Sequence, residues 1–235
     1  GFFWRLMKLF EWLNFRTADT VISTNTSYAR IARERGGKRD EDIFVVRSGP
    51  DLNRLVVKPV NPALRNGRKH LVGYVGVMGD QEGIDLLLEA VQSMDPKLNV
   101  KVDIVGGGDQ LRNLEHHAKS LGLSDRVTFY GRVDEDELRA IYTRASVFAM
   151  PSIAELQSIA TMEAMASGLP VVAADAMALP HLVHDGENGY LFDPTSRDDL
   201  AAKLTTVLTA DPAERLRLQE SSLEGVKVHD IDRTL

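Results

Sequence analysis

The chain has 235 residues, of which 43% are hydrophobic and 26% charged, with a formal net charge of −6. This composition describes a globular protein with apolar material for one good core or two small ones, and no charge-free apolar run reaches the roughly 18 residues needed to span a bilayer. With no cysteine, a disulfide framework, a cysteine zinc site, a thiol nucleophile and an iron–sulfur centre are excluded, and a cytoplasmic address is the expected one.

Charge is unevenly spread. Residues 1–69 carry 14 Lys and Arg against 7 Asp and Glu, and the rest carries 14 against 27. The basic residues are scattered and no aromatic stacking motif lies among them, which argues against nucleic acid as a partner. The asymmetry fits two differently facing domains, or a membrane-facing side. Gly1 at the start, and a helical pattern still running at Leu235, read as a fragment at both ends.

The first predicted element is a helix over Phe2–Arg16, where Phe3, Leu6, Met7, Phe10 and Leu13 recur at helical spacing. Arg5, Lys8 and Arg16 gather on its other side with Trp4 and Trp12, an arrangement suited to peripheral contact with an anionic membrane surface. Packing of both Trp on protein is the competing reading. A signal peptide is not expected, because Glu11 and Asn14 interrupt the apolar run and no small-residue cleavage site follows.

A strand over Asp19–Thr24, a helix over Ser27–Arg35 closed by Gly36-Gly37, and a strand over Ile43–Arg47 come next. Ser48-Gly49-Pro50-Asp51 reads as a turn, and 52–69, with Pro59 and Pro62, as a linker. Strands then recur at Leu71–Val75, Val100–Val105, Val127–Tyr130, Ser146–Met150, Pro170–Ala174 and near Tyr190–Phe192. Helices alternate with them at Ile84–Gln92, Leu111–Leu121, Glu135–Ala145, Ser158–Ser167 and Arg197–Thr209. Continuously apolar strands separated by amphipathic helices predict an α/β fold, a doubly wound parallel sheet covered on both faces. Ligands in such a fold bind at the carboxyl ends of the strands, so the loops that follow strands are the place to look. Residues 70–222 complete one domain, 223–235 begin a terminal helix, and the two strands of 1–51 are too few to fold alone.

Four of these loops stand out. Gly76-Val77-Met78-Gly79-Asp80-Gln81-Glu82-Gly83 could bring backbone amides to a phosphate, yet contains no Lys or Arg. Gly106-Gly107-Gly108-Asp109 lacks the spacing of a dinucleotide fingerprint, since Leu111 occupies the third site, and reads as a tight turn. Tyr130-Gly131-Arg132-Val133 leads into a helix opened by Asp134, Glu135 and Asp136, ordinary capping chemistry. The fourth, from Pro151 to Pro170, places Glu155 just ahead of a helix and Glu163 within it. A carboxylate at the rim lies beside free amides suited to phosphate, while one in an apolar helix is costly without a partner. Glu163 taken alone fits equally well the solvent face of an amphipathic helix.

The string from Pro151 to Pro170, with Val171-Val172-Ala173 and Asp185-Gly186-Glu187-Asn188-Gly189 after it, resembles the carboxyl-terminal domain of the retaining glycosyltransferases of family 4. Ala18-Asp19-Thr20-Val21-Ile22 is similar to a late strand of that family's amino-terminal domain, and Ser48-Gly49-Pro50-Asp51 to its turn at the domain junction. The resemblance implies the GT-B architecture of two facing Rossmann-like domains. Residues 1–51 would be a remnant of the amino-terminal, acceptor-side domain, most of which is missing, and 70–222 the nucleotide-sugar-binding domain. It implies that Glu155, the catalytic position, holds hydroxyls of the donor sugar near the reacting carbon. Glu163 would accept hydrogen bonds from the ribose. The amides of Leu156, Gln157 and Ser158 would bind sugar and distal phosphate, and Val133, after Gly131-Arg132, would lie at the nucleobase. The implied donor is a UDP- or GDP-linked sugar, the acceptor a glycan or lipid-linked molecule, and the reaction keeps anomeric configuration without a metal.

The chain departs from that pattern where the family carries Arg and Lys for the donor diphosphate. The aligned residues here are Val77 and Glu82. Each lost charge-assisted contact is worth roughly 1.5–3 kcal/mol. Either Arg132 or another cation replaces them, or donor binding is weak, or the register differs. The leading expectation is therefore a glycosyltransferase of which this chain is the donor-binding half, inactive alone. The alternatives are a non-catalytic nucleotide or scaffold module of the same fold and, further off, a GT-B sugar-nucleotide epimerase, which leaves the glutamate pair unexplained. His116, His117, His181 and His184 read as surface or loop-packing residues, and Asp193, Asp198 and Asp199 as helix capping.

Overall fold

The computed structural model describes residues 1–46, 49–50, 61–65 and 67–229. The chain opens with helix α1 (Phe2–Thr17), strand β1 (Val21–Ser23), helix α2 (Thr26–Glu34) and strand β2 (Ile43–Val45), and β1 and β2 pair in parallel. Asn25 starts α2, its side chain accepting the Tyr28 N–H at 3.0 Å.

After a 3₁₀ turn at Pro62–Arg65 comes the main sheet: β3 (Leu71–Val75), β4 (Lys101–Val105), β5 (Val127–Gly131), β6 (Val147–Met150), β7 (Val171–Ala174) and β8 (Gly189–Phe192). All neighbours are parallel, in the order β5-β4-β3-β6-β7-β8. Helices α3 (Ile84–Ser93), α4 (Leu111–Ser120), α5 (Glu135–Arg144), α6 (Ile159–Ala166), α7 (Arg197–Thr209) and α8 (Pro212–Val226) cover it. Helix α3 packs on α4 and α7, and α6 on α8. Strands β6 and β7 are buried along their whole length, and every side chain in them is apolar, as a sheet covered on both faces demands. Each large side chain sealed there contributes about 1.5–3 kcal/mol, and one continuous cluster runs from Val72 to Val226.

The doubly wound sheet is the predicted one. Boundaries differ at several points. The strand expected over Asp19–Thr24 covers only Val21–Ser23, and α6 begins at Ile159, with Ser158 its cap. Helix α8 was not predicted, and it runs across residues 222 and 223; Asp211 caps it by accepting the Glu214 N–H at 2.9 Å, and Pro212 occupies its first position. The segment read as a linker is in its second half fastened to the sheet domain. Asn61 donates its N–H to the Thr143 carbonyl, and the buried Arg65 donates to the carbonyls of Arg144 (2.6 Å) and Ala145 (2.8 Å). Residues 52–60 and Asn66 of that segment, Arg47 of the expected second strand, Ser48 and Asp51 of the expected turn, and 230–235 of the expected terminal helix lie outside the described residues.

Helix α1 is set the other way round from a buried amphipathic helix. It meets its neighbours through Glu11, paired with Arg35, and Phe15, whose ring lies against Gly36. Phe3, Met7, Phe10 and Leu13 are exposed, as are Trp4 and Trp12. No helix among the described residues is long and apolar enough to cross a membrane.

Candidate active site

In the order β5-β4-β3-β6-β7-β8 the chain leaves β3 in one direction and returns at β6 to build the other. A doubly wound sheet opens its ligand crevice at such a reversal, here between the loops after β3 and β6, 76–83 and 151–158. Those loops are tied together. The Gln81 carbonyl accepts the Ile153 N–H at 3.1 Å, and Gly83, at φ +64°, lies where any Cβ would stand 2.5 Å from the Pro151 carbonyl oxygen. Only glycine meets both demands. On the other flank the Met78 N–H donates to the Gly107 carbonyl at 3.1 Å, and the Gly106 N–H to that of Gly131 at 2.8 Å. The triple glycine after β4 is wedged between the loops after β3 and β5, where a Cβ at Gly106 or Gly108 would strike the Gly76 or Met78 backbone.

Glu155 is half-buried at the mouth of this crevice. Burial, first, and the neighbouring Glu82 carboxylate raise its pKa above the ordinary glutamate value, while hydrogen bonds from the Ser158 N–H and hydroxyl partly offset the rise. Its peptide is held from two sides. The Glu155 carbonyl accepts the Ala178 N–H at 3.3 Å, and the Leu156 carbonyl accepts from Asn25 Nδ2 at 2.7 Å and Thr24 Oγ1 at 3.3 Å. The amino-terminal segment thereby grips the glutamate loop. Leu156 exposes its side chain, Gln157 is half-buried, and Ser158 is buried in the left-handed region at φ +48°, with its hydroxyl 2.8 Å from Thr161 Oγ1. A non-glycine residue there costs about 1–2 kcal/mol, strain of a kind that gathers at functional sites. It turns the chain abruptly into α6, whose first-turn N–H groups lack helical partners.

Glu163 lies five residues beyond Ser158, about 7.5 Å further along the axis at 1.5 Å per residue. It is half-buried among Met162, Ala164, Met165 and Ala166, all buried. This is not the solvent face of an amphipathic helix. Tyr142 Oη on α5 donates to Glu163 Oε2 at 2.9 Å. Burial raises the Glu163 pKa and the tyrosine hydrogen bond pulls it back. Nothing local in the sequence signals this partner, 21 residues away.

Arg132 and Val133 follow the tip of β5, with β4 and β3 intervening before β6. Three inter-strand steps make a span of about 14 Å, longer than one sugar or one phosphate. Arg132 is exposed and runs alongside Gly107, its Cγ and Nε 3.6 Å from where a Cβ would stand. Val133 is half-buried, and Asp134 caps α5 by accepting the Glu137 N–H at 2.9 Å. Val77 is exposed. The structure thus brings Glu155, Leu156, Gln157 and Ser158 together with Glu82, and sets Arg132 and Val133 at the far end of the same row of strand tips.

Among the described residues no group of three or more His, Asp or Glu is arranged to hold a metal ion. His117 sits on α4 with Nε2 3.5 Å from Glu89 Oε1, and the exposed His184 has Nδ1 3.6 Å from Glu187 Oε2. His181 Nε2 lies 3.0 Å from Ser27 Oγ, a second link between the two parts of the chain. Ser196, not an aspartate, caps α7; Asp199 accepts the Asp193 N–H, and Asp193 the Thr195 N–H and hydroxyl.

A carboxylate-rimmed helix start at the reversal of a doubly wound parallel sheet, with further loops along the same edge, defines a Rossmann-like domain of the GT-B kind. The family of glycosyl transferases group 1 matches residues 60–223, and the chain belongs to it. It is similar to the D-inositol 3-phosphate glycosyltransferase of Corynebacterium glutamicum, 35% identical over 201 residues, 79% of this chain and 47% of the relative. The sulfoquinovosyl transferase SQD2 of Arabidopsis thaliana is 29% identical over 218 residues, 88% of this chain and 41% of its own. Among solved structures, sucrose-phosphate synthase of Thermosynechococcus elongatus superposes with a TM-score of 0.83 at 29% identity, covering 95% of this chain and 57% of that one. HepE of Anabaena, solved in complex with UDP and glucose, gives 0.81 at 25% identity, covering 94% and 62%. The chain spans about half the length of the curated relatives it matches.

Proposed function

We propose that this chain is the donor-binding half of a retaining glycosyltransferase that moves a sugar from a uridine or guanosine diphosphate donor to a hydroxyl of a polysaccharide, glycolipid or other acceptor. The observation that carries the reading is the placement of Glu155 and Glu163 on either side of the Ser158 turn, at the sheet's reversal point. In this reading Glu155 orients sugar hydroxyls, and the amides of Leu156, Gln157 and Ser158 hold the distal phosphate, where charge grows as the bond breaks. Glu163 accepts from the ribose, and Val133 lines the base. The acceptor oxygen bonds to the anomeric carbon as the bond from that carbon to the phosphate oxygen breaks. The acceptor proton passes to the departing diphosphate on the same face, so configuration is kept. The charge of the distal phosphate is met by the backbone N–H groups at the start of α6, with Arg132 at the nucleoside end of the cleft, so the reading calls for no metal ion. Turnover needs the acceptor-side half of the protein. Exposed Trp4 and Trp12 beside Arg5 support peripheral contact with the cytoplasmic membrane face.

A second reading, a non-catalytic module of the same fold, is favoured by one observation: Glu82 sits close enough to Glu155 to raise its pKa, where a diphosphate would need a cation. Calorimetry of this chain with UDP and GDP separates the two. Under the first reading one nucleotide binds, and Glu163→Ala weakens it by about 1–3 kcal/mol. Absence of heat with either nucleotide overturns the first reading in favour of the second.

A further inference from the structure

Tyr142 is 1% exposed and packs its ring on Phe148, 5.9 Å between centroids. Its hydroxyl has a single proton and two oxygen neighbours, Glu163 Oε2 at 2.9 Å and the Ala160 carbonyl at 3.4 Å. The nearer and charged acceptor takes it. Burial and the adjacent carboxylate push the phenol pKa up, so the proton stays on the tyrosine. Glu163 therefore has one oxygen engaged by a rigid, fully packed donor and the other left for a ligand.

We propose that Tyr142 is a positioning residue for nucleotide ribose: by holding Glu163 Oε2 it fixes the rotamer of the carboxylate, presenting Oε1 to the ribose hydroxyls. The proposal deepens the assignment of Glu163 to the ribose and depends on it. Helix α5 adds a reason for the arrangement. It begins at Asp134, directly after Gly131-Arg132-Val133, and Tyr142 lies eight residues further on, about 12 Å along one rigid element. The helix that starts at the proposed base-reading loop thus also carries the clamp on the proposed ribose-reading carboxylate, so base and sugar are read from one frame.

The test is calorimetry of wild type, Tyr142→Phe and Glu163→Ala with UDP and 2′-deoxy-UDP, or the guanosine pair if GDP is the nucleotide that binds, from pH 5 to pH 8.5. Wild type is expected to prefer the ribonucleotide. Tyr142→Phe is expected to bind the ribonucleotide roughly tenfold more weakly, to weaken the 2′-deoxynucleotide less, since only its 3′-hydroxyl remains, and to have no further effect in a Glu163→Ala background. Without the tyrosine proton, burial alone acts on Glu163 and its pKa climbs. Ribonucleotide binding by the variant should therefore fade at a higher pH than in wild type as the solution is acidified. If wild type itself does not distinguish the two nucleotides, the assignment of Glu163 to the ribose fails and takes this proposal with it. If wild type discriminates and Tyr142→Phe keeps both the discrimination and the pH profile, Tyr142 only packs, and the proposal alone is overturned. Should Tyr142→Phe not fold, 3-fluorotyrosine placed at position 142 serves instead. As a stronger donor it is expected to carry ribonucleotide binding to lower pH, and an unmoved profile overturns the proposal equally.

Discussion

Replacing Asp103 by alanine removes the one carboxylate that two guanidinium groups share inside the sheet. Asp103 lies mid-strand in β4, 0% exposed, accepting from Arg68 Nη1 at 2.8 Å and Arg144 Nε at 2.9 Å. Removing one partner of a buried ion pair costs about 3–5 kcal/mol, because the other charge stays behind without compensation. Arg144 keeps Glu137 at 3.0 Å and the face of Tyr130 at 5.1 Å, while Arg68 is nearer the surface and also holds the Arg65 carbonyl at 2.9 Å. These retained contacts place the expected loss at the low end, about 3 kcal/mol. For a chain of this size each kcal/mol lowers Tm by roughly 2–4 °C, so a fall of roughly 6–12 °C follows. Urea unfolding followed by far-UV circular dichroism gives the free energy directly, with Asp103→Asn, which keeps volume and one acceptor, falling between wild type and alanine. A loss below about 1 kcal/mol for alanine, with unchanged m-value, refutes the reasoning. The two arginines would then be solvated in the folded state.

Gly83→Ala combines a left-handed backbone with a methyl 2.5 Å from the Pro151 oxygen; it should cost at least about 2 kcal/mol and weaken nucleotide binding, and wild-type values in thermal melts and calorimetry contradict this. Asn25→Asp keeps the cap on α2 but loses the amide that donates to Leu156, so a loss of about 1–2 kcal/mol is expected in chemical denaturation, whereas an unchanged midpoint would mean the clasp contributes nothing. Glu155 has a raised pKa, so the folded chain binds its proton more tightly than the unfolded one. Stability must therefore fall as pH climbs from the ordinary glutamate range through the raised value. Glu82→Gln removes one cause of the rise and should flatten that fall by no more than about 1 kcal/mol; parallel stability–pH profiles for the two proteins would count against the coupling.

Much of this was readable from residues alone, for reasons that differ by element. Strands such as Val147–Met150 and Val171–Ala174 announce themselves because burial on both faces leaves no room for polar side chains. Glu155 and Glu163 stood out as carboxylates beside a helix of small apolar residues. What escaped was the set of partners joined only by folding. Tyr142 looks like any helical tyrosine until α5 is laid beside α6, and Asn25 like a simple cap until its second amide face meets Leu156, 131 residues away. Residues 61–65 read as linker because Arg65 finds its acceptors, two backbone carbonyls, some 80 residues later. Helix α8 is different: Asp211-Pro212-Ala213-Glu214 is a start signal visible in the sequence, and its polar surface obscured the apolar spacing that follows.

The reversal between β3 and β6 also has an electrical side. Helices α3 and α6 spring from loops that touch each other, with Gly83 capping one beside Pro151 at the head of the loop that ends in the other. Each helix start carries the equivalent of about half an elementary positive charge. Two such starts beside one crevice supply a positive potential that comes from the backbone and opposes the carboxylates of Glu82 and Glu155. An alanine scan of the cleft would accordingly leave a floor of anion attraction that it cannot remove, and under the proposed function that floor offsets Val77 and Glu82, which stand where a diphosphate would call for cations.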